Sequence, residues 1–522
     1  MRTVMAVVLV VLMAVGVSSA ITSAGPASRG TLRISLLSDV TMNPFTFPQQ
    51  LSTQWVTDAV FSNLTRYNPG NLQPVGDLAT DLQPTNEGRV WTIKLRQGVR
   101  WHDGKPFSAK DVKFTLDNIV NPNVKALYRS AMRGLRRVDI IDDQTVRLEF
   151  PDPFPSLPVI VGWWIVPMTP SHLLEGQDLN DLSGFARRPI GTGPFRWKEA
   201  VKGSHILVEA NPNYHMGPPK IQNIVFKVLP DINTVTAQLR AGELDLAQVE
   251  AVHQEALKDV PHIAFRITEQ PSTFFIALNN TRAPFTDKRV RQALMYGLNR
   301  QAIITQIYKS TARLAAGPYA KAFGEFVNPA LQPYPYDVAR AKALLQEAGF
   351  TPGADGTLQK DGKPLAFEFM VDRGNPVREQ IALFAQQSWK QLGIDVRIAA
   401  EEWSVFVRRG NLQPGDYDAR TGWRITAPDP DKTAEYTTGG ANNHYAYSNP
   451  EVDKLMLQAR HTLDKKQRVA LYHQIQKLIY DDVPVIWLNY RTEILAMNKR
   501  VKNLPSLMLE DALLWMHLPS VE

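Results

Sequence analysis

The 522-residue chain contains no cysteine. That absence removes disulfides, thiolate metal sites, a cysteine nucleophile and a lipid-bearing cysteine tether in one step. Its ten histidines are scattered, none in an HExxH-type spacing; His473 to Lys477, for instance, reads HQIQK. A resident metal or cofactor is therefore not expected. Neither a GxSxG elbow nor a GxxxxGK[ST] loop occurs. The GxG of IGTGPF (190–195) lacks a third glycine and has Pro194 where a phosphate-binding helix would have to begin, so it reads as a turn. With no nucleophile or metal signature, the chain is read as a non-enzyme.

Long apolar runs are also missing beyond the N-terminus. MRTVMAVVLVVLMAVGVSSAITSAGPASRG carries Arg2, an uncharged apolar stretch from Val4 to Val17, and then small residues. That is the pattern of a secretory signal peptide, here assigned to residues 1–27 with cleavage after Ala20, Ala24 or Ala27. The run falls short of the roughly 20 residues that span a bilayer. Export in soluble form is expected. Dense basic runs are absent too: the net charge of +7 comes from scattered Lys and Arg, which suits a solvated surface and no nucleic-acid partner.

What is present is enough chain for more than one core, because single cores stop growing at about 250 to 300 residues. With 44% hydrophobic and 21% charged residues, the composition is that of a globular protein. In LRQGVRWHDGKPFSAKDVKFTL (95–116) and the VWTIKL that leads into it, Trp91, Ile93 and Leu95 alternate with polar residues as in a half-buried strand. Asp103-Gly104 supplies a turn. Ser108 followed by Asp111 resembles a capping box, and Val112, Leu116, Ile119 and Val120 recur at helical spacing. Adjacent His102 and Asp103 diverge on a turn, so the stretch reads as frame rather than catalytic site.

Elsewhere, YDVARAKALLQEAGF predicts a helix with Asp337 as N-cap and Gly349 as its stop. Asp464 opens another, striped by Leu471, Tyr472, Ile475, Leu478 and Ile479. Strands are expected at TVRLEF, HILVEA, NIVFKVLP, TFFIALN, FEFMV and VPVIWLNY. This interleaving argues for an α/β fold. Gly- and Pro-rich punctuation at 187–195, 211–220 and 277–287 marks candidate lobe boundaries. Asp429, Asp431 and nearby Glu435 read as a carboxylate cluster or, equally well given the flanking prolines of APDPDK, as an exposed loop. Trp403, Trp423, Tyr445, Tyr447, Trp487 and Tyr490 concentrate in the last third. They serve as core, or, together with Arg373 and Arg420, line a cleft that stacks on a ligand and fixes its anionic end.

Taken in order, LRQGVRWHDGKPFSAKDVKFTL, PIGTGPFRW, NPNYHMGPPKIQNIVFKVLPD, ALNNTRAPFTDKRVRQALMYGLNR and YDVARAKALLQEAGF resemble bacterial extracellular solute-binding protein family 5. This is the peptide and nickel class that serves ABC importers, and the resemblance extends from about residue 31 to the C-terminus. It implies a two-lobed periplasmic-binding fold with a hinge and an extra domain. The implied division is lobe I at 28–65, 190–268 and 495–522, the extra domain at 66–189, and lobe II at 269–494. It further implies a periplasmic monomer without cofactor, with a small solute, a peptide or peptide-like molecule, and the ABC permease subunits as partners.

By the same resemblance, Ser38, Asp39 and Val40 reach the cleft from an early strand end. Trp403 matches a cleft tryptophan, and Arg420, Gly422 and Trp423 match a segment that lines the peptide. Where peptide binders carry an Asp for the α-ammonium, this chain has Thr426, which puts an ordinary free-amino peptide in question; Asp429 is the alternative acid. Arg373 resembles a carboxylate-binding Arg if a small gap is allowed. Modified peptides, opine-like compounds and oligosaccharides are the alternatives. His444 and His102 leave an opening for a nickel chelate, and a secreted hydrolase is the alternative outside binding altogether.

Overall fold

The computed structural model describes residues 30–46, 51–505 and 515–522, apart from 128, 133, 164, 426 and 427. The segment read as a signal peptide and the Thr426 position lie outside the described residues. Ten strands make up the main path of one sheet. They are β1 (Thr31–Leu36), β2 (Phe195–Val201), β3 (His205–Ala210), β4 (Asn223–Val228), β5 (Leu246–Val249), β6 (Ile263–Leu278), β7 (Ala366–Asp372), β8 (Asp395–Glu401), β9 (Ala419–Ile425) and β10 (Val485–Asn498). Their order across the sheet is β8-β7-β9-β6-β10-β5-β1-β4-β3-β2, and the short strand Arg313–Leu314 adds to β10. The helices used below are α1 (Leu51–Val60), α2 (Ala109–Val120), α3 (Val338–Glu347), α4 (Pro376–Lys390), α5 (Trp403–Gly410), α6 (Pro450–His461) and α7 (Lys465–Asp482).

Local sequence chemistry sets most of these elements as expected. Asp337 accepts from Arg340 N at 2.8 Å to start α3, and Gly349 lies beyond its end at φ +90°. Asp464 likewise caps α7 by accepting from Gln467 N at 2.8 Å. Asp111 accepts from Ser108 N at 3.0 Å at the start of α2. Of the punctuated segments, 211–220 is a turn between the antiparallel neighbours β3 and β4, and 277–287 leaves the buried end of β6 at Ala277 and Leu278, passes through an exposed turn at Thr281, Arg282 and Ala283, and returns to the core at Phe285.

The crossing between lobes is made by two long strands. Ile263–Glu269 of β6 pairs with Thr492–Asn498 of β10, and Thr273–Ala277 pairs with Val485–Tyr490, with a register shift between Glu269 and Thr273. The chain therefore bulges at Gln270, Pro271 and Ser272, where Pro271 has no N–H to give to a ladder. On one side of the bulge, β1 to β5 enclose a core of Leu32, Ile34, Phe195, Phe226 and Leu246, joined by Leu495 and Met516 from the C-terminal end. On the other side, β7, β8 and β9 pack with α3, α4, α6 and α7 around Phe369, Trp389, Leu455, Tyr472 and Trp487.

A separate four-stranded antiparallel sheet runs in the order Ala79–Thr85, Val90–Leu95, Thr145–Glu149, Arg137–Asp142. It packs with α2 around Trp91, Trp101, Leu116 and Leu148. The strand, turn and helix of the 95–116 stretch form the frame of this extra domain.

Candidate functional site

Strand direction locates the site. β1, β4 and β5 run parallel to one another and in the same sense as β6, whereas β7, β8 and β9 run parallel to one another and opposite to β6. Val249 at the end of β5 pairs with Ile494, and Ile425 at the end of β9 pairs with Ser272. Both sets of carboxyl ends therefore face the crossing from opposite sides. In open α/β sheets, ligands bind outside strand carboxyl ends, and here two such edges oppose each other over a floor formed by the bulge.

The lobe I edge continues β1 into Ser38, Asp39 and Val40. Ser38 is half-buried, Asp39 is exposed and accepts from Gly203 N at 2.9 Å, and Val40 packs on the lobe I core. Leu37 N donates to Ser52 Oγ at 3.1 Å, which brings the start of α1 to the same edge. Thr53, Gln54, Thr57 and Asp58 recur on one side of α1 and are buried. A polar stripe buried at a strand edge is unlike a core helix, and sequence patterning had not singled it out; its i, i+1, i+4, i+5 spacing was the available signal.

The opposite edge carries aromatic residues and cations. Arg373 leaves β7, is exposed and donates to Ala400 O at 3.0 Å. Trp403 follows β8, is 49% exposed, and stacks on Trp423 at 6.1 Å and on Phe406 at 5.9 Å. Arg378 of α4 places its guanidinium 3.9 Å from the Trp423 ring centroid and lies 2.8 Å from Asp372. Cation and rings thus form a ladder, Arg378–Trp423–Trp403–Phe406, in which Trp403 keeps about half of its surface accessible.

Other expected site residues sit deeper. Arg420 is buried between Phe406 and Tyr417, burial lowers its pKa, and its Nε has no hydrogen-bond partner among the described residues. Gly422 lies against Phe275, whose ring would be 2.6 Å from any added Cβ. Tyr490 is buried in the crossing strand, accepts from Ala316 N at 3.2 Å and is covered by Arg313. It faces a cavity of about 210 Å³ on the 313–331 side.

Of the two readings of the carboxylate loop, the exposed one does not hold. The loop is buried rather than exposed, with Asp429 and Glu435 each 6% accessible. Nη2 of Arg468 reaches both Asp429 oxygens, at 3.0 and 3.1 Å. Burial opposes the Arg468 charge, but Asp429, Tyr472 and Asp431 together outweigh it and raise the Arg468 pKa. Asp429 therefore presents no free carboxylate to an incoming ammonium.

His102 and His444 do not converge. Burial lowers each pKa to about 4, with His102 held by Gly191 and Gly193 and His444 by Leu412 O. Among the described residues, no group of three or more His, Asp or Glu is placed to hold a metal ion. Tyr445, Tyr447 and Trp487 belong to the core.

The profile of bacterial extracellular solute-binding proteins, family 5, matches residues 73–445. The chain belongs to this family. The oligopeptide-binding protein AppA of Bacillus subtilis is 31% identical over 496 residues, covering 93% of this chain and 91% of the relative. The structure of that protein in complex with a nonapeptide superposes with a TM-score of 0.77 at 27% identity, over 94% of this chain and 99% of the other. NikZ of Campylobacter jejuni in complex with Ni(L-His) superposes with a TM-score of 0.80 at 26% identity, over 95% and 100% of the two chains. As a family 5 member, this is a two-lobed extracytoplasmic binding protein, and no helix among its described residues is long and apolar enough to cross a membrane.

Proposed function

We propose that this protein captures a peptide or peptide-like solute between its two lobes and hands it to the permease of an ABC importer. It works as a periplasmic monomer after removal of residues 1–27. The observation that carries this reading is the pair of opposed strand edges over a two-strand crossing. A solute touching both edges favours the closed arrangement, and closure requires no covalent chemistry. The peptide label draws on the AppA relatives.

The proposed contacts are Ser38, Asp39 and Val40 on one side, and Trp403, Trp423, Arg373, Gly422, Thr426 and Arg420 on the other, with Tyr490 and the polar stripe of α1 nearby. The division into lobe I (28–65, 190–268, 495–522), extra domain (66–189) and lobe II (269–494) is supported by the separate buried clusters.

A second reading, a solute with no free amino group, is favoured by the Asp429–Arg468 pair and by Thr426. Losing a charge-assisted ammonium bond costs about 1.5 to 3 kcal/mol. Native mass spectrometry of the exported protein, with release and identification of the bound mass, separates the two. A ladder of peptide masses supports peptide capture. A single non-peptide mass, or none together with no thermal stabilisation by a peptide panel, rules it out. A hydrolase would consume that solute catalytically; a binding protein returns it unchanged.

A further inference from the structure

The extra domain is fastened to lobe I. His102 N donates to Gly191 O at 2.9 Å, and His102 Nε2 lies 3.0 Å from Gly193 O. Buried Arg66 pairs with Asp77 and donates to Tyr214 Oη at 2.6 Å, and His215 bonds Asp77 at 2.6 Å. These contacts join the two as one body, so any movement of lobe I carries the extra domain with it.

At its far tip the same domain touches lobe II. Gly88, at φ +85°, has its carbonyl held by Trp91 Nε1 at 3.1 Å and Phe154 N at 3.0 Å. It lies so close to the α6–α7 junction that a Cβ would sit 2.8 Å from Leu463 Cδ1. Beside it, Ser156 precedes the short helix Leu157–Ile160 but does not cap it. Its buried hydroxyl instead accepts from Arg468 Nη2 at 3.1 Å. Arg468 is held in turn by the rings of Phe326 and Tyr472 and by Asp429, whose Oδ1 also accepts from Asp431 N at 2.9 Å. A serine at an N-cap position ordinarily uses its hydroxyl on its own helix; this one spends it across a gap between bodies that must part when the lobes open.

We propose that Ser156 and Arg468, with Gly88 seated on Leu463, form a latch that makes the extra domain a second jaw of the binding protein. Arg468 is a positioning residue. It joins the latch to Asp429 and so to the loop that leaves β9 at the cleft floor, which couples solute contact at that loop to closure at the tip. The inference rests on the lobe-closing reading above.

Because the chain lacks cysteine, spin labels can be placed at Gln83→Cys and Lys466→Cys alone, both exposed positions on the two jaws. Pulsed electron resonance then reads their separation in protein stripped in guanidinium and refolded, with and without a mixture of synthetic peptides of two to nine residues. The expected result is a short-distance population that grows with peptide. Ser156→Ala lowers the short-to-long ratio about tenfold, the worth of one hydrogen bond to a charged group. Ser156→Thr, which keeps the hydroxyl, restores it. Both variants leave Asp429 and Arg468 paired. If Ser156→Ala and the native sequence give the same ratio while peptide still shifts both, the latch is wrong and the closing reading stands. One invariant distance in the native background, with and without peptide, overturns both.

Discussion

Gly191 and Gly193 show how a residue without a side chain can decide a junction. The turn IGTGPF passes beneath the end of α1 so closely that a Cβ at Gly191 would lie 1.9 Å from Val60 O, and one at Gly193 would lie 2.6 Å from it. The obstacle is backbone, which cannot rotate aside. Gly191→Ala is therefore expected to cost about 3 kcal/mol, at the upper end of overpacking, and urea unfolding of the full chain reads that loss. The sequence marks this segment as a turn but does not say what approaches it. The same limit hid the Asp429–Arg468 pair, because partners 39 residues apart on a loop and a helix leave no local pattern. Trp403 is legible as a cleft candidate both from the aromatic grouping and from the resemblance, but the grouping does not separate it from Tyr445, Tyr447 and Trp487, which lie in the core.

Among the elements, α2 is the one whose start ties most together. Asp111, 2% accessible, accepts from Ser108 N, from Trp101 Nε1 at 3.3 Å, and from both N and Oγ of Ser171 at 2.9 and 2.6 Å. Removing the carboxylate strands several buried donors at once. Asp111→Ala should destabilise by about 3 to 5 kcal/mol, seen as earlier loss of the extra domain in denaturant, whereas exposed Lys110→Ala should change little. The capping pattern at Ser108–Asp111 was readable because it is local; the bonds to Trp101 and Ser171 were not. Strands read from alternation likewise held, yet TFFIALN and VPVIWLNY covered only the lobe II halves of β6 and β10. Pro271 breaks the alternation at the bulge that lets the sheet cross between lobes.

For the molecule as a whole, the fastening of extra domain to lobe I carries a pH dependence. His102 accepts from Gly191 N at Nδ1 and donates from Nε2 to Gly193 O, and burial lowers its pKa to about 4. The native state thus holds a neutral imidazole that the unfolded chain protonates near pH 6.5. Its contribution is complete above about pH 6.5 and drains away as pH falls from there toward 4, up to roughly 3 kcal/mol. Unfolding midpoints should therefore drop between pH 7 and 4.5, and His102→Gln should flatten that slope. An equal slope in the variant would assign it to other groups, His517 and His444 first, since burial lowers both to about 4.

β10, the last long strand among the described residues, lies in the interior of the sheet between β6 and β5. During synthesis or secretion from the N-terminus, β5 waits for residues 494–497 before it has both neighbours, and Arg66 waits for Trp515 to cover it. The lobe I side cannot finish folding until almost the entire polypeptide is available. If residues 1–27 direct export of the unfolded chain, as proposed, its earliest-made half stays open to the export machinery until residues 494–515 arrive.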